Sequence, residues 1–316
     1  MVCDGLILRG LYPIARDLCN RLIDAVIRAI ETRKPESERL CYDPFAKGFV
    51  GTTNRVIGKI PYLGKLALWY LEQKHPFILD CIPARTRYID EYVNERIDDG
   101  IQQLIVLGAG YDSRAYRIEK LRGRVTTFEI DHPATQKRKI ELLKKMMDPL
   151  PSHVVYVPID FNKEKLPQRM FQSGYDKDKK SLFIWEGVTP YLTAEAVDET
   201  LQFVAKYSGP GTSILFNYIL KSVVDGTCQL EGAREIRRAF SRGGIADLSS
   251  NRGDRLMFGI EEGTIETFLS ERGFQQIKDI SGDYYEALYF IGPNRNRKGC
   301  CLCRVVYATA KPEELM

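Results

Sequence analysis

The chain has 316 residues, of which 44% are apolar and 28% are charged, as is typical of globular domains. Its formal net charge of +4 gives no reason to expect nucleic-acid binding, which usually needs a concentrated basic face. Because no apolar run reaches about 18 residues, we expect no transmembrane helix. Residues 1–13 lack the basic lead and apolar length of a signal peptide, so we expect a cytoplasmic protein with no membrane partner.

Residues 1–100 contain several helical patterns and no clear strand. Apolar residues at three- and four-residue spacing predict the first helix, and Asp43 before Pro44 predicts the N-cap of a second, short one. Longer helices are predicted over residues 11–32, 63–73 and 84–97, with Pro76 and Pro83 bracketing one further short element. We expect these residues to form an N-terminal helical cap.

From residue 101 the pattern alternates between apolar runs and amphipathic segments. Strands are predicted at 103–107, 125–130, 153–159, 181–185 and 211–219, and helices at 113–121, 133–147, 163–172 and 193–207. This alternation is typical of an α/β fold with a doubly wound parallel sheet, here a Rossmann-like core over residues 101–316.

The last third of the chain departs from this alternation. Residues 220–260 are too long and too rich in glycine for a simple connection, so they predict an inserted lid. A helix at 262–272 follows, and then strands at 274–280 and 300–308 with no helix predicted between them. Two such strands indicate a terminal antiparallel hairpin at one sheet edge. We expect residues 1–316 to form a single domain.

Three cysteines stand close together at the start of the last predicted strand: Cys300, Cys301 and Cys303. Such a cluster could bind a metal in principle, but it lacks two C-x-x-C pairs and has no neighbouring histidine. We interpret these cysteines as small apolar residues at the start of a strand, and predict no metal site. The sequence gives no support for redox sensing.

The first predicted strand ends in a glycine turn that opens a helix. Gly108-Ala109-Gly110 lets a ligand approach bare backbone, and the helix start offers N–H groups and a positive dipole end. Asp131 ends the second strand, where an acid can bind ribose hydroxyls. A dinucleotide site prefers a third glycine, where this chain has Ser113. The turn therefore favours S-adenosylmethionine over NAD.

Five motifs occur in a fixed order along the chain. They are PARTRYID at 83–90, LIVLGAGYDSRAYR at 104–117, FEIDHP at 128–133, PIDFN at 158–162 and IWEGVTPYL at 184–192. In this order and spacing they resemble the leucine carboxyl methyltransferase family, and its bacterial and archaeal S-adenosylmethionine-dependent branch in particular. The resemblance extends over roughly residues 15–220. It implies a class I methyltransferase fold with S-adenosylmethionine as cofactor and S-adenosylhomocysteine as product.

The resemblance implies roles for residues at the first two strands and before them. Arg85 matches an arginine that pairs with the methionine carboxylate of the cofactor, which suits a guanidinium fork, and Arg87 is the alternative. Gly108 and Gly110 match the turn beneath the methionine moiety. Asp131 matches the acid that binds ribose.

The resemblance also implies roles at the third and fourth strands. Asp160 and Phe161 match the adenine site, although Asp160 could instead be an N-cap. Glu186 matches a glutamate that contacts the amino end of the cofactor and faces the substrate. Tyr191 could line the same chamber or pack on the sheet. Glu186 and Tyr191 are the catalytic candidates.

Other polar residues near these motifs are expected to be structural. Asp112 is expected to cap a helix, and Glu129 comes too early in the pattern FEID to replace Asp131. His132 and His153 have no metal-ligand spacing. A run of arginines at 234, 237, 238 and 242 either attracts an acidic substrate or forms a solvated face.

The predicted reaction is O-methylation of a carboxylate or hydroxyl by in-line displacement. A carboxylate acceptor, on a small molecule or a protein, needs no general base, whereas a hydroxyl benefits from one, and Glu186 is the only candidate in position. The alternatives are an NAD-dependent oxidoreductase and a non-catalytic nucleotide-binding interaction module. An RNA methyltransferase would need a longer basic strip than residues 294–298.

Overall fold

A computed structural model describes residues 23–50, 77–160, 163–234, 236–237 and 256–312. Its centre is a seven-stranded sheet in the order β3-β2-β1-β4-β5-β7-β6. The strands are β1 Gln103–Leu107, β2 Thr126–Asp131, β3 Val154–Pro158, β4 Ser181–Trp185, β5 Ser213–Ile219, β6 Phe274–Ile280 and β7 Cys303–Ala310.

The first five strands run parallel, and β7 is antiparallel to both of its neighbours, β5 and β6. Because parallel strands share a direction, the carboxyl ends of β1, β2 and β4 meet at one edge of the sheet. The strand predictions are confirmed to within three residues at each end. The two terminal strands are antiparallel as predicted, with β7 inside the sheet and β6 at its edge.

The helices pack on both faces of this sheet. They are α1 over residues 23–31, α2 Ala46–Phe49, α3 Ile78–Asp98, α4 Arg114–Arg117, α5 Pro133–Leu143, α6 Leu166–Gln172, α7 Ala194–Lys206, α8 Lys221–Asp225, α9 Ile265–Ser270 and α10 Gly282–Tyr289.

Two helix predictions were wrong. Pro83 lies inside α3 instead of ending a separate element, because burial of one face of α3 outweighs the lost backbone hydrogen bond. A helix, α10, also lies between β6 and β7, where none was predicted. Its Tyr285 and Tyr289 stack one turn apart, and Tyr285 packs against Tyr88 of α3, so aromatic contacts between helices hold a segment whose apolar periodicity is weak.

Alternation along β1 explains how α3 is positioned. Ile105 and Leu107 face one hydrophobic cluster, whereas Leu104 and Val106 face the other, which includes buried residues of α3. Packing against that second face carries the N-terminal half of α3 past the carboxyl edge of the sheet. Arg85 lies in that half of the helix.

The segment predicted as a lid is closed at its base. Leu220 and Ile260 form a bridge, and the Lys221 N–H donates to the Ile260 carbonyl at 2.9 Å. Residues 235 and 238–255 of this segment, like the predicted helix at 63–73 and residues 11–22 of the first, lie outside the described residues. In the part of the chain that the structure describes, no helix is long and apolar enough to cross a membrane.

Candidate active site

A cavity opens at the carboxyl edge of the sheet, above β1 and β4. One wall is the turn of residues 106–112 and the loop of residues 186–191. Residues of α1 and α3 form the opposite wall, and residues 217–219 of β5 close one side, together with Cys300 and Cys303. The cavity therefore lies where ligands bind in open α/β sheets.

The glycine turn needs its glycine at position 108 for two reasons. Gly108 has a φ of +68°, which side-chain-bearing residues rarely adopt. A Cβ atom there would also lie 2.6 Å from Val188 Cγ2, on the loop after β4. The two loops thus approach each other closely beneath the cavity.

Asp131 stabilises this turn from behind. Its Oδ2 accepts a hydrogen bond from the Gly110 N–H at 2.5 Å, and its Oδ1 accepts one from the His132 N–H at 2.7 Å. The side chain is buried and is not among the described residues that line the cavity. Asp131 therefore links the end of β2 to the turn after β1.

Glu186 lies between two arginines from distant parts of the chain. Arg85 Nε donates to Glu186 Oε1 at 2.6 Å, and Arg114 Nη1 donates to Glu186 Oε2 at 2.7 Å. Arg85 also donates from Nη2 to Asp24 Oδ2 at 2.9 Å, which joins α1 to α3. The two carboxylate oxygens of Glu186 are therefore both engaged by guanidinium groups.

Arg114 is the most deeply buried cation of this network. Its Nε donates to Asp90 Oδ1 at 2.8 Å, and its Nη1 is shared between Glu186 and Asp112. Asp112 also accepts from the Arg114 N–H at 2.7 Å, at the first residue of α4, although the N-cap position itself is occupied by Ser113. Arg117 holds Asp90 from the other side.

The network gives its carboxyl groups different proton affinities. Burial alone would raise the pKa of Glu186, but Arg114 and Arg85 outweigh burial and hold that pKa well below its usual range. At Asp24 burial is the larger effect, so the pKa is raised despite Arg85 and Arg28. Glu186 is thus a weak proton acceptor, and Asp24 is a better one.

The loop after β4 is held by β5. The Gly187 N–H donates to Asn217 Oδ1 at 2.6 Å, and Thr189 Oγ1 donates to the Asn217 carbonyl at 2.5 Å. These bonds fix the loop that presents Glu186 and Tyr191 to the cavity.

The structure brings together five of the eight predicted site residues as cavity-lining groups: Arg85, Gly108, Gly110, Glu186 and Tyr191. Asp131 contacts the turn instead. Asp160 follows β3 and forms an ion pair with Lys163 at 3.2 Å, outside the lining of the cavity. Phe161 lies outside the described residues.

The competing residues take structural positions. Arg87 pairs with Glu91 on the exposed face of α3, so Arg85 is the arginine that faces the cavity. Glu129 is buried and pairs with Lys139 of α5 at 2.8 Å. His132 Nδ1 accepts from the Ala134 N–H at the start of α5, and His153 bonds the Ala115 carbonyl.

The two described arginines of the predicted run, Arg234 and Arg237, are exposed and lie outside the lining of this cavity. Arg238 and Arg242 lie outside the described residues. The choice between an attractive patch and a solvated face stays open.

Sequence reasoning missed Asp24, Arg28 and Asn217 as cavity residues. Asp24 and Arg28 are one helical turn apart in α1, so a pair of opposite charges at four-residue spacing was a weak signal available in the sequence. Asn217 carried a weaker signal, a polar residue within the apolar run of β5.

A family model described as leucine carboxyl methyltransferase matches residues 21–205, more than half of the chain. The chain belongs to the leucine carboxyl methyltransferase family. The matched region contains all five motifs whole and both arginines that hold Glu186. Membership makes the chain an enzyme that uses S-adenosylmethionine, and the NAD-dependent and non-catalytic alternatives are set aside.

Curated relatives carry names that agree with this family. A protein of Mycolicibacterium paratuberculosis named "Putative S-adenosyl-L-methionine-dependent methyltransferase" is 28% identical over 261 residues, which cover 79% of this chain and 81% of that protein. A protein of Bacillus subtilis with the same name followed by YktD is 29% identical, with 62% of this chain and 69% of that protein covered.

A solved structure supports the fold. The crystal structure of a "putative methyltransferase" from Thermobifida fusca YX aligns with a TM-score of 0.51 at 14% sequence identity. The alignment covers 79% of this chain and 89% of that chain. At this identity the similarity establishes the class I methyltransferase fold alone.

The cavity fits S-adenosylmethionine by the chemistry of its groups. The methionine part of the cofactor carries a carboxylate and an ammonium group beside the sulfonium. The guanidinium of Arg85 is available for the cofactor carboxylate. The carboxylates of Glu186 and Asp24 are available for the ammonium and sulfonium groups. Gly108 and Gly110 line the cavity without side chains, so a ligand can approach the backbone of the turn.

Proposed function

We propose that this cavity binds S-adenosylmethionine and promotes methyl transfer to a carboxylate oxygen of an apolar small molecule or protein segment. When bound, the cofactor supplies an electrophilic methyl group on a sulfonium. Arg85, Gly108, Gly110, Asp131, Asp160, Phe161 and Glu186 are the proposed cofactor-binding residues, and Glu186 and Tyr191 the proposed residues next to the reacting groups.

The observation that carries the choice of acceptor is the pairing of Glu186 with Arg85 and Arg114. A carboxylate whose two oxygens accept from guanidinium groups, and whose pKa lies well below its usual range, is a poor general base. An acceptor that is already ionised needs none. Glu186 then acts by charge: it orients Arg85 and attracts the ammonium group of the cofactor.

Arg85 can hold a cofactor carboxylate without leaving its partners. Guanidinium has five N–H donors, and the bonds to Glu186 and Asp24 involve Nε and Nη2. Its two anionic partners fix the plane of the fork, so little side-chain entropy is lost when a ligand binds.

Apolar side chains also line the cavity. They are Phe77, Ile78 and Ile82 of the α3 region, Val188 of the loop after β4 and Ile219 of β5. This surface suits the apolar part of an acceptor and excludes water from the line of displacement. We propose that the N-terminal helical cap and the inserted segment of residues 220–260 form the rest of the acceptor pocket within one domain.

A hydroxyl acceptor is the second candidate, and Asp24 is the observation that favours it. Asp24 lines the cavity, and its raised pKa makes it a better proton acceptor than Glu186. In that reaction Asp24 would take the hydroxyl proton.

The first test is calorimetric titration with S-adenosylmethionine, S-adenosylhomocysteine and NAD. We expect micromolar binding of the first two and none of NAD, and binding of NAD alone would refute the proposal. Acceptors are then screened with methyl-labelled cofactor. Carboxyl methyl esters release labelled methanol in alkali, whereas methyl ethers do not, so the label reports the class of acceptor.

The variant Asp24→Asn separates the two candidates. With a carboxylate acceptor the variant keeps the pH dependence of turnover, because no proton leaves the acceptor. With a hydroxyl acceptor turnover falls about a hundredfold or more, and its rise with pH disappears. Asp198→Asn, at a partly buried ion pair with Arg272 outside the cavity, is the matched control.

We further propose that the enzyme acts in the cytoplasm. The six cysteines that the structure describes are all free thiols, which persist in a reducing compartment.

A further inference from the structure

Three cysteines meet in the wall of the same cavity. Cys81 lies in the first turn of α3, Cys303 is the first residue of β7, and Cys300 precedes that strand. Cys300 is buried in the main hydrophobic cluster, and Cys81 and Cys303 pack against that cluster beside the same cavity. The cluster therefore joins two elements that are more than two hundred residues apart in the chain.

Close backbone packing places Cys300 in this wall. A Cβ atom on Gly282, at the start of α10, would lie 2.5 Å from the Cys300 nitrogen. A Cβ atom on Gly299 would lie 2.3 Å from the Gly282 carbonyl oxygen. The two segments can approach so closely because both positions are glycine, so the position of Cys300 is fixed by the fold.

The three thiols differ in proton affinity. Hydrogen bonds from Cys303 and Cys81, together with the backbone at Leu302 and Cys303, outweigh burial and lower the pKa of Cys300 to about 3. The pKa values of Cys81 and Cys303 are raised, because each donates its proton to Cys300. Cys300 is thus the thiolate of the cluster, and thiolates are the form that reacts with electrophiles.

Cys41 and Cys301 lack this environment. Burial raises the pKa of Cys41 to about 12, so its thiol stays protonated. Cys301, next in sequence to Cys300, donates to Asp283 Oδ1 at 3.4 Å, and its pKa is raised mainly by burial. Among the described residues no group of histidine, cysteine or acidic side chains is arranged to hold a metal ion. The chemistry that remains for the cluster is oxidation.

We propose that Cys300 is a modification site that reacts with hydrogen peroxide and then forms a disulfide with Cys81. The Cys300 thiolate attacks one peroxide oxygen, the O–O bond breaks, and the other oxygen leaves as hydroxide, which takes a proton to become water. Cys300 is then a sulfenic acid. The Cys81 sulfur loses its proton and attacks the Cys300 sulfur, and the S–O bond breaks with release of a second water. Two thiols and one peroxide give one disulfide and two waters.

Cys81 is the assigned partner because it joins α3 to the segment before β7. Cys81 precedes Arg85 by one helical turn, so the disulfide would fix the part of α3 that holds Glu186 and Asp24. The oxidation itself does not depend on the proposed methyl transfer. Its effect on cofactor affinity does rest on the proposed function and is measured separately.

The test is disulfide mapping of the full chain. Reduced protein is treated with hydrogen peroxide, its remaining thiols are blocked with N-ethylmaleimide, and a digest made without reductant is analysed by mass spectrometry. We expect a cross-linked pair of peptides containing Cys81 and Cys300 that dithiothreitol separates. In Cys81→Ser, dimedone should label Cys300 as a sulfenic acid, and Cys41→Ser should behave as the wild type.

Three outcomes would overturn the assignment: no disulfide at Cys300, a disulfide between Cys300 and Cys303, or preferential oxidation of Cys301. Calorimetry with S-adenosylhomocysteine on oxidised and reduced protein then measures the effect on the site. A mapped disulfide without any cofactor binding in the reduced protein would refute the proposed function and leave the modification site standing.

Discussion

Arg85 and Glu186 are 101 residues apart in the chain and joined at 2.6 Å in the fold. The first lies in a helix outside the parallel core, and the second follows the central strand β4. Their ion pair is nearly buried, with side-chain exposures of 15% and 11%. Removal of one member of such a pair leaves the other charge with little access to water. The pair therefore links the stability of the N-terminal helices to the charges of the cavity.

The variant Arg85→Gln should lose both stability and cofactor affinity. We expect the free energy of unfolding to fall by about 3 kcal/mol, because Asp24 loses its guanidinium partner and Glu186 keeps only Arg114. Binding of S-adenosylhomocysteine should weaken at least about tenfold, which corresponds to 1.4 kcal/mol. Urea unfolding and calorimetry measure the two effects.

Arg87→Gln is the matched control on the same helix. The Arg87–Glu91 pair is about half exposed, so we expect a loss below about 1 kcal/mol and unchanged affinity. Equal effects of the two variants would show that the pairing of Arg85 with Glu186 has no special role.

The variant Gly108→Ala tests the close approach of the two loops. Gly108 and Gly123 have φ values of +68° and +69°, but only Gly108 has a neighbour within 4 Å of its missing Cβ atom. Gly123→Ala should therefore report backbone strain alone, about 1 kcal/mol. Gly108→Ala should add an overpacking cost of about 2 kcal/mol and reduce cofactor affinity.

Val188→Ala in the Gly108→Ala background tests whether the contact with Val188 causes the loss of stability. It removes the methyl group that the new Cβ would meet, so part of the lost stability should return. If Gly108→Ala is no worse than Gly123→Ala, the contact with Val188 is not limiting. Thermal unfolding of the four proteins, wild type included, gives the comparison.

The parallel strands were predictable because each is a short apolar run ended by a turn. β1, β4 and β6 have the predicted bounds, and β2 and β3 differ by one residue at each end. The helix α10 was not predictable in this way. Its stability comes from Tyr285 and from contacts with α3, which a local pattern does not contain.

The site was predictable where a motif carries its own geometry. The glycine turn and Glu186 follow directly from strand ends, and the family resemblance added Arg85. The partners of these residues were not predictable, because Asp24 and Asn217 reach the cavity only through the packing of α1 and the pairing of β5. Charge networks between distant segments require the fold.

The variant Asp131→Ala should weaken cofactor binding and also cost some stability. Its carboxylate accepts hydrogen bonds from the N–H groups of Gly110 and His132, which the alanine leaves without that partner. We expect a loss of about 1–3 kcal/mol and a fall in S-adenosylhomocysteine affinity of at least about tenfold. Denaturation and calorimetry measure these changes.

Glu129→Gln, two residues earlier on β2, separates the two effects. Its carboxylate accepts hydrogen bonds from Lys139 and Tyr116, which do not belong to the glycine turn, so the variant should lose stability and keep its affinity. Unchanged affinity in Asp131→Ala would end the assignment of this aspartate to the ribose.

The pH dependence of stability should differ between the wild type and Glu186→Gln. The folded pKa of Glu186 lies well below its ordinary value of 4.5, because Arg114 and Arg85 outweigh burial. The ionised group therefore stabilises the fold fully above about pH 5, and this contribution is lost as the pH falls. Asp24, whose pKa is raised, has the opposite slope and is present in both proteins. We expect the stability advantage of the wild type over Glu186→Gln to shrink between about pH 6 and pH 3 in urea titrations.

Glu91→Gln, at an exposed ion pair, is the control. Its free energy of unfolding should change with pH as that of the wild type does. A constant difference between the wild type and Glu186→Gln across this range would mean that Glu186 keeps an ordinary pKa in the folded protein.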